Sequence, residues 1–253
     1  MLFRVTAPAA LKELDATWFD RNLTFRFAPD CNCWYGVGGV ELNAKPGKYP
    51  LRLHCKLQDG SSVAPTLEVN VTEKNYPSTA VNGVPGKYVQ PPPEVAARIA
   101  EESALKKQVF SHFEPESLWS GNFDAPVDST VTAIFGSARV FNKTKKTVHE
   151  GTDFRAAIGT PVHATNGGTV VLARNLYFEG NCVMLDHGDG LLTLYMHLSK
   201  FDVKEGESVQ GGRLLGLSGN TGRVNGPHLH FAARWQGMYL DPETLFGLRP
   251  PPR

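Results

Sequence analysis

The first quarter of the chain alternates apolar and polar residues. LTFRF (residues 23–27), PLRLHCKL (50–57) and TLEVNV (66–71) each carry a two-residue period, and turn-rich segments such as AKPGKY and QDGSS separate them. A strand of that period turns one face to a core and the other to water, so residues 1–74 are expected to form a small antiparallel, Ig-like β-sandwich. Over residues 75–93 the pattern gives way to NYPSTAVNGVPGKYVQPPP, too rich in Pro and Gly for the interior of a strand or helix. A linker or extended arm is predicted there. EVAARIAEESALKKQVF (94–110) then reads as one helix, with Glu94 in its first turn and Lys106 and Lys107 near its end. Its apolar stripe, mainly Val95, Ile99 and Leu105, is narrow and suits a strut docked on a neighbouring surface.

Beyond Pro126 strand patterns resume in TVTAIFG, GTPVHATNGGTVVLA, NCVMLDHG, LLTLYMHL and LLGLSG. Asp189-Gly190 between two apolar runs is a hairpin signal. The predicted organisation is all-β: a sandwich (1–74), an arm with one helix (75–119), a second antiparallel unit (120–247) and a Pro-rich tail (248–253).

Composition narrows the picture. The 253 residues are 41% hydrophobic and 20% charged, which excludes disordered and fibrous classes. Lys and Arg number 26 against 25 for Asp and Glu, so no electrostatic case exists for a nucleic-acid partner. No apolar run approaches the roughly 20 residues of a membrane helix, and MLFRVTAPAA lacks the features of a signal peptide. The cysteines are Cys31, Cys33, Cys55 and Cys182. Cys31 and Cys33 stand too close for an easy mutual bridge, whereas Cys55 lies in a strand-like run and could meet either one in an oxidising compartment. Cys-x-Cys without a second pair argues against a structural zinc site.

Six of the eight histidines fall in the second half, and three local patterns there have ligand or catalytic form. In NGPHLHFAARW a strand would point His228 and His230 to one face and Leu229 and Phe231 to the other. HEGTD places His149 and Asp153 four apart around a glycine, and LYMHLS places His197 in an alternating run with Tyr195 expected on the same face. A catalytic zinc ion takes three ligands from His, Asp or Glu and keeps one position open, and further histidines nearby can move protons near neutral pH.

HEGTDF, YMHLS and SGNTGRVNGPHLHF, in this order and at these separations, closely resemble the lysostaphin-type (LytM-like) zinc metallopeptidases, which cleave peptide bonds in bacterial peptidoglycan. FGSARVFN, GTPVHATNGGTVV and VKEGESVQGGRLLGLSG extend the resemblance over roughly residues 120–246. It implies a lysostaphin-like antiparallel peptidase domain holding one Zn²⁺ per chain through His149, Asp153 and His230. His228 and His197 then fall on the family's two catalytic, non-ligand positions. His228 is the expected proton-handling base, and His197 would orient water or stabilise the oxyanion, with the roles exchangeable.

The resemblance also implies a peptidoglycan peptide as substrate and a periplasmic or cell-surface location. The N-terminal domain could position the peptidase, wall off its groove or bind an envelope partner, and the sequence chooses neither among these nor an oligomeric state. His187 is expected to make a structural hydrogen bond, His163 to pack and His54 to lie on the surface. Gly219, Gly222 and Gly226 are expected to serve the loop before the HLH strand. Two alternatives have separate signatures. A non-catalytic wall-binding or hydrolase-activating module is disfavoured because all five metal and catalytic positions are filled, whereas a latent enzyme would hold its arm in the groove.

Overall fold

The computed structural model describes residues 1–7, 10–112, 114–142 and 145–251; the last two residues of the Pro-rich tail lie outside the described residues. The N-terminal alternation becomes two small antiparallel sheets. One contains Leu2–Val5, Cys33–Val37 and Arg26–Ala28; the other contains Arg21–Thr24, Leu11–Trp18, Gly47–Leu57, Ser62–Val63 and Thr66–Val71. Leu14, Ala16 and Trp18 from one strand, and Leu51, Leu53 and Cys55 from its neighbour, point inward at every second position. The expected strand over 23–27 divides at Phe25, where the chain passes from one sheet to the other with that ring buried.

Two further expectations are corrected. Cys31 bonds to Cys33, and Cys55 is a buried free thiol. The short helical turn Pro29–Cys31 and a left-handed Asn32 (φ 46°) fold the chain back, bringing the two Cα atoms to 5.2 Å, within bridging range. Part of the arm is a strand. Ser78–Val81 pairs in parallel with Ala138–Phe141, which also pairs with Lys145–Val148. Proline and glycine flank these four residues rather than interrupt them, so a short edge strand is permitted.

The arm continues into the helix Ala96–Ser111. Leu105, Val109 and Phe110 pack against Leu172, Met184 and Leu194, while Lys106 pairs with Glu179 at 2.5 Å. The helix docks on a neighbouring surface as expected, but of the expected stripe only Leu105 joins the packed cluster; Val95 falls in the turn Pro93–Val95 before the helix, and Val109 and Phe110 at the helix end complete the contact. No helix among the described residues is long and apolar enough to cross a membrane.

The second half is built on one antiparallel sheet, ordered Val131–Ala133, Thr152–Arg155, His228–Trp235, Leu191–Leu198, Gly180–Asp186, Gly168–Leu176 and Ser208–Val209. Both Asp189 and Gly190 have positive φ, as the predicted hairpin requires. One face buries Val170, Leu185, Tyr195, Leu229 and Phe231; the other buries Leu172, Met184, Leu194 and Ala232. A third core crosses between the halves, where Trp18 and Leu23 join Trp119, Phe123, Leu191 and Trp235. Arg26 adds a two-pronged ion pair to Asp189, at 2.5 and 2.6 Å.

His187 has the structural role expected of it. Its ring is fully buried, with Nδ1 2.6 Å from the Gly167 carbonyl and Nε2 2.7 Å from Thr193 Oγ1. Burial pushes its pKa down from 6.5 to about 4. Between those values the unfolded chain binds the extra proton and the folded chain does not, so stability falls as pH drops through the window. The full effect is about 3 kcal/mol. Urea unfolding at about pH 7 and about pH 4.5 should show that loss in the parent protein and a smaller one in His187→Gln, whose side chain does not titrate.

Candidate metal centre and active-site groove

Three adjacent strands carry the site. The pairing of Thr152–Arg155 with His228–Trp235 sets Asp153 directly opposite His230 and Arg155 opposite His228. Opposed side chains on one face lie about 5 Å apart at Cβ, within reach of a shared ion. His149 enters from the turn after Lys145–Val148, four residues before Asp153. Gly151 permits that turn: a Cβ there would stand 2.5 Å from both His230 Nε2 and the Phe231 carbonyl.

The donor atoms converge. Asp153 Oδ1 is 2.8 Å from His230 Nδ1 and 3.1 Å from His149 Nε2, and the two imidazole nitrogens are 3.1 Å apart. The Ile134 carbonyl accepts from His149 Nδ1 at 2.9 Å, so the His149 lone pair is at Nε2, facing the cluster. A tetrahedral zinc ion with bonds of about 2.0 Å requires ligand separations near 3.3 Å, and a nitrogen, nitrogen, carboxylate set with an open fourth position is a catalytic zinc set. The residues fit the ion.

Burial and charge favour the ligating state. Burial alone would raise the Asp153 pKa, but the neighbouring His149 and His230 rings hold it well below the usual carboxylate range. Burial lowers the His230 pKa to about 4 against the pull of Asp153. At neutral pH the cluster therefore presents an anionic oxygen and a neutral His230. The second oxygen of Asp153 is taken by the Arg139 guanidinium.

His197 and His228 face each other beside this cluster, with ring centroids 5.0 Å apart. His228 Nδ1 lies 2.9 Å from the Gly226 carbonyl and His197 Nδ1 lies 2.8 Å from the Thr221 carbonyl. A carbonyl only accepts, so both rings keep Nδ1 protonated and leave Nε2 free; that of His228 is 3.7 Å from Asp153 Oδ1. Burial, and then the neighbouring His228 and His230, push the His197 pKa well below 6.5.

Tyr195 does not share the His197 face. The ladder skips between Asn181↔Leu198 and Val183↔Tyr195, giving one more residue to the His197 strand, and His197 takes φ +65°. This bulge breaks the alternation. It turns His197 into the groove while Tyr195 stays in the core, its hydroxyl 3.0 Å from Thr165. Of the expected loop glycines, Gly222 sits at φ +77° with the Gly180 nitrogen 2.4 Å from where a Cβ would be, whereas Gly226 faces open space. His54 is exposed, as expected, and His163 is half-buried at a strand end.

Two cavities meet at the centre. One, of about 120 Å³, reaches His149, His230, Phe178, Glu179, Met196 and Tyr239; the other, of about 400 Å³, reaches Asp153, His228, Thr132 and the arm at residues 79–84. Arg139, His197 and Arg223 line both. The arm lines the groove, as the latent alternative expects, whereas neither arginine was among the expected site residues, although FGSAR and NTGRV both lie inside the motif context.

Residues 147–242 match the model of peptidase family M23. The chain carries an M23 peptidase domain. Over 109 residues it is 49% identical to the peptidoglycan DD-endopeptidase ShyA of Vibrio cholerae, a match covering 42% of this chain and 25% of that protein. Over 98 residues it is 44% identical to the DD-carboxypeptidase/endopeptidase Mpg of Neisseria meningitidis, covering 39% and 23%. The matched region thus spans about a quarter of these relatives. A solved structure of a Pseudomonas aeruginosa protein assigned to peptidase M23 superposes over 97% of this chain and 93% of its own, with TM-score 0.74 and 28% identity. That likeness includes the sandwich and arm as well as the M23 domain.

Metal titration checks the centre. One zinc ion per chain is expected to bind, with His149→Ala, Asp153→Asn or His230→Ala weakening binding at least about 100-fold, since each removes one of the three converging donors. His197→Ala and His228→Ala should retain it. Equal losses from all five substitutions would contradict the division into ligands and free histidines.

Proposed function

We propose that the protein is a zinc-dependent endopeptidase acting on peptide bonds of peptidoglycan, with His149, Asp153 and His230 holding the metal. The observation that carries this reading is the pair of imidazoles, His197 and His228, left with free Nε2 atoms beside a three-ligand cluster inside an open groove. Zinc would supply Lewis acidity there, polarising a carbonyl and acidifying a water.

The two histidines divide the remaining work. His197, neutral at working pH and with Nδ1 committed to Thr221, offers an acceptor at Nε2 and so orients the attacking water rather than stabilising an oxyanion. His228 Nε2 takes the proton and returns it to the leaving amine. Its Gly226 hydrogen bond keeps the ring aimed through both transfers. The names of the two relatives make bonds between D-amino acids the first to examine. A peptidoglycan substrate would put the protein in the cell envelope.

The arm gives a second reading a specific basis. Residues 79–84 form a wall of the groove, the Asn82 carbonyl accepts from Asn225 Nδ2 at 3.3 Å, and Val84 is buried, so a closed arm would keep the enzyme latent. A faster Val84→Ser variant, loosened at the arm, would support latency. An unchanged rate would leave the arm as a wall.

The test is mass spectrometry of fragments released from purified peptidoglycan by zinc-loaded and chelated protein. Zinc-dependent new amine ends are expected, with release lowered about 10²- to 10⁴-fold in His228→Ala and His197→Ala while zinc stays bound. No release by zinc-loaded parent and Val84→Ser proteins alike would overturn the reading.

A further inference from the structure

One short ribbon, residues 132–139, grips two of the three proposed ligands. The Ile134 carbonyl accepts from His149 Nδ1 at 2.9 Å, and backbone bonds run both ways between Gly136–Ser137 and His149, at 2.8 and 2.9 Å. At its far end Arg139, whose side chain is 14% exposed, donates to Asp153 Oδ2. Thr132 Oγ1 adds a bond to the Asp153 carbonyl at 3.1 Å. The ribbon has little freedom, because the strand bearing Arg139 is paired on both edges: Arg139 lies opposite Thr147 on one side and Thr79 of the arm on the other.

The consequence falls on Asp153. Its Oδ1 faces three imidazoles, His149, His230 and His228, while its Oδ2 is occupied by Arg139. A carboxylate free to rotate could offer a cation either oxygen or both. Here only Oδ1 is available.

Resting on the zinc reading above, we infer that Arg139 is the positioning residue of the metal centre, fixing Asp153 as a one-oxygen ligand. Two effects of the guanidinium oppose each other. Orientation of the carboxylate strengthens metal binding, and outer partners of this kind are typically worth about 10- to 100-fold in affinity. The positive charge repels a cation and draws electron density from the carboxylate, which weakens it. Direct hydrogen bonding to Oδ2 from a doubly paired strand favours orientation as the larger effect. Because Arg139 also lines both cavities, a role in holding substrate is the competing explanation, and that role would move KM without moving zinc affinity.

The test measures zinc dissociation constants on the full chain by competition with a chromogenic chelator, for the parent, Arg139→Met and Arg139→Lys, each also in an Asp153→Asn background. Thermal unfolding of the metal-free proteins reports folding, and visible absorption of the cobalt-substituted forms reports ligand geometry. Arg139→Met should weaken zinc binding about 10- to 100-fold and alter the cobalt spectrum, with Arg139→Lys between it and the parent. In the Asp153→Asn background Arg139→Met should change affinity less than about threefold, since the carboxylate it acts through is gone. Unchanged or tighter zinc binding by folded Arg139→Met, or an equal loss in both backgrounds, would overturn the inference. If Arg139→Met does not fold, Arg139→Lys decides by the same criteria. A parent protein that binds no zinc would overturn the zinc reading and this inference with it, whereas normal zinc binding by Arg139→Met and Arg139→Lys with Asp153 intact, and a large loss in Asp153→Asn, would overturn this inference alone.

Discussion

The antiparallel register between Thr152–Arg155 and His228–Trp235 is the constraint on which the site depends. With Asp153 opposite His230, alternation sends His228 to the same face and sends Leu229, Phe231 and Phe154 into the core below. A slip of one residue would invert every one of these, burying imidazoles and exposing phenylalanines. What resists the slip is apolar packing: Phe231 lies 5.2 Å from Tyr195, 5.8 Å from Phe246 and 6.5 Å from Phe154, centroid to centroid. The polar cluster is therefore held in place from behind, by burial on the opposite face of its own sheet. Its members need not attract one another to stay together.

Much of this was legible because it is local. His-x-His on a strand predicts a shared face whatever the fold, and His149 with Asp153 across Gly151 predicts a compact turn. The failures come from steps that alternation does not encode. An inserted residue between Tyr195 and Leu198 reverses which face His197 uses, and nothing in LYMHLS marks it. Cys31–Cys33 became possible through a left-handed Asn32, a backbone choice and not a composition. The Ser78–Val81 strand exists because Ala138–Phe141, some sixty residues away in sequence, offers it an edge. Arg139 was missed for the same reason, since its meaning lies in an oxygen contributed by another strand.

The N-terminal sandwich has a similar lesson. Its own alternation predicts two sheets with a shared interior, and these form. Its attachment was not predictable, because Trp235 and Leu191 read as ordinary strand residues while their packing partners include Trp18 and Leu23. Arg21 donates to the Gln236 carbonyl at 2.9 Å and Arg26 clasps Asp189, so both loops at that end of the peptidase sheet are tied to the sandwich. The sheet that carries the groove thus has one end anchored by a second layer, and the arm and helix close around its other face.

The electrostatics of the groove follow from how its imidazoles are oriented. His149, His197 and His228 each give Nδ1 to a backbone carbonyl, those of Ile134, Thr221 and Gly226, and each is left with Nε2 as its free position. Backbone carbonyls are rigid partners, so orientation costs little side-chain entropy at the moment of binding. The result places unprotonated Nε2 atoms of His149 and His228 beside one carboxylate oxygen, with the His197 ring next to them. Such lone pairs repel one another unless a proton or a cation lies between them. The core behind Phe231 and the ribbon ending at Arg139 hold them against that repulsion, so the cluster's geometry is set by the fold and not by the attraction of its members.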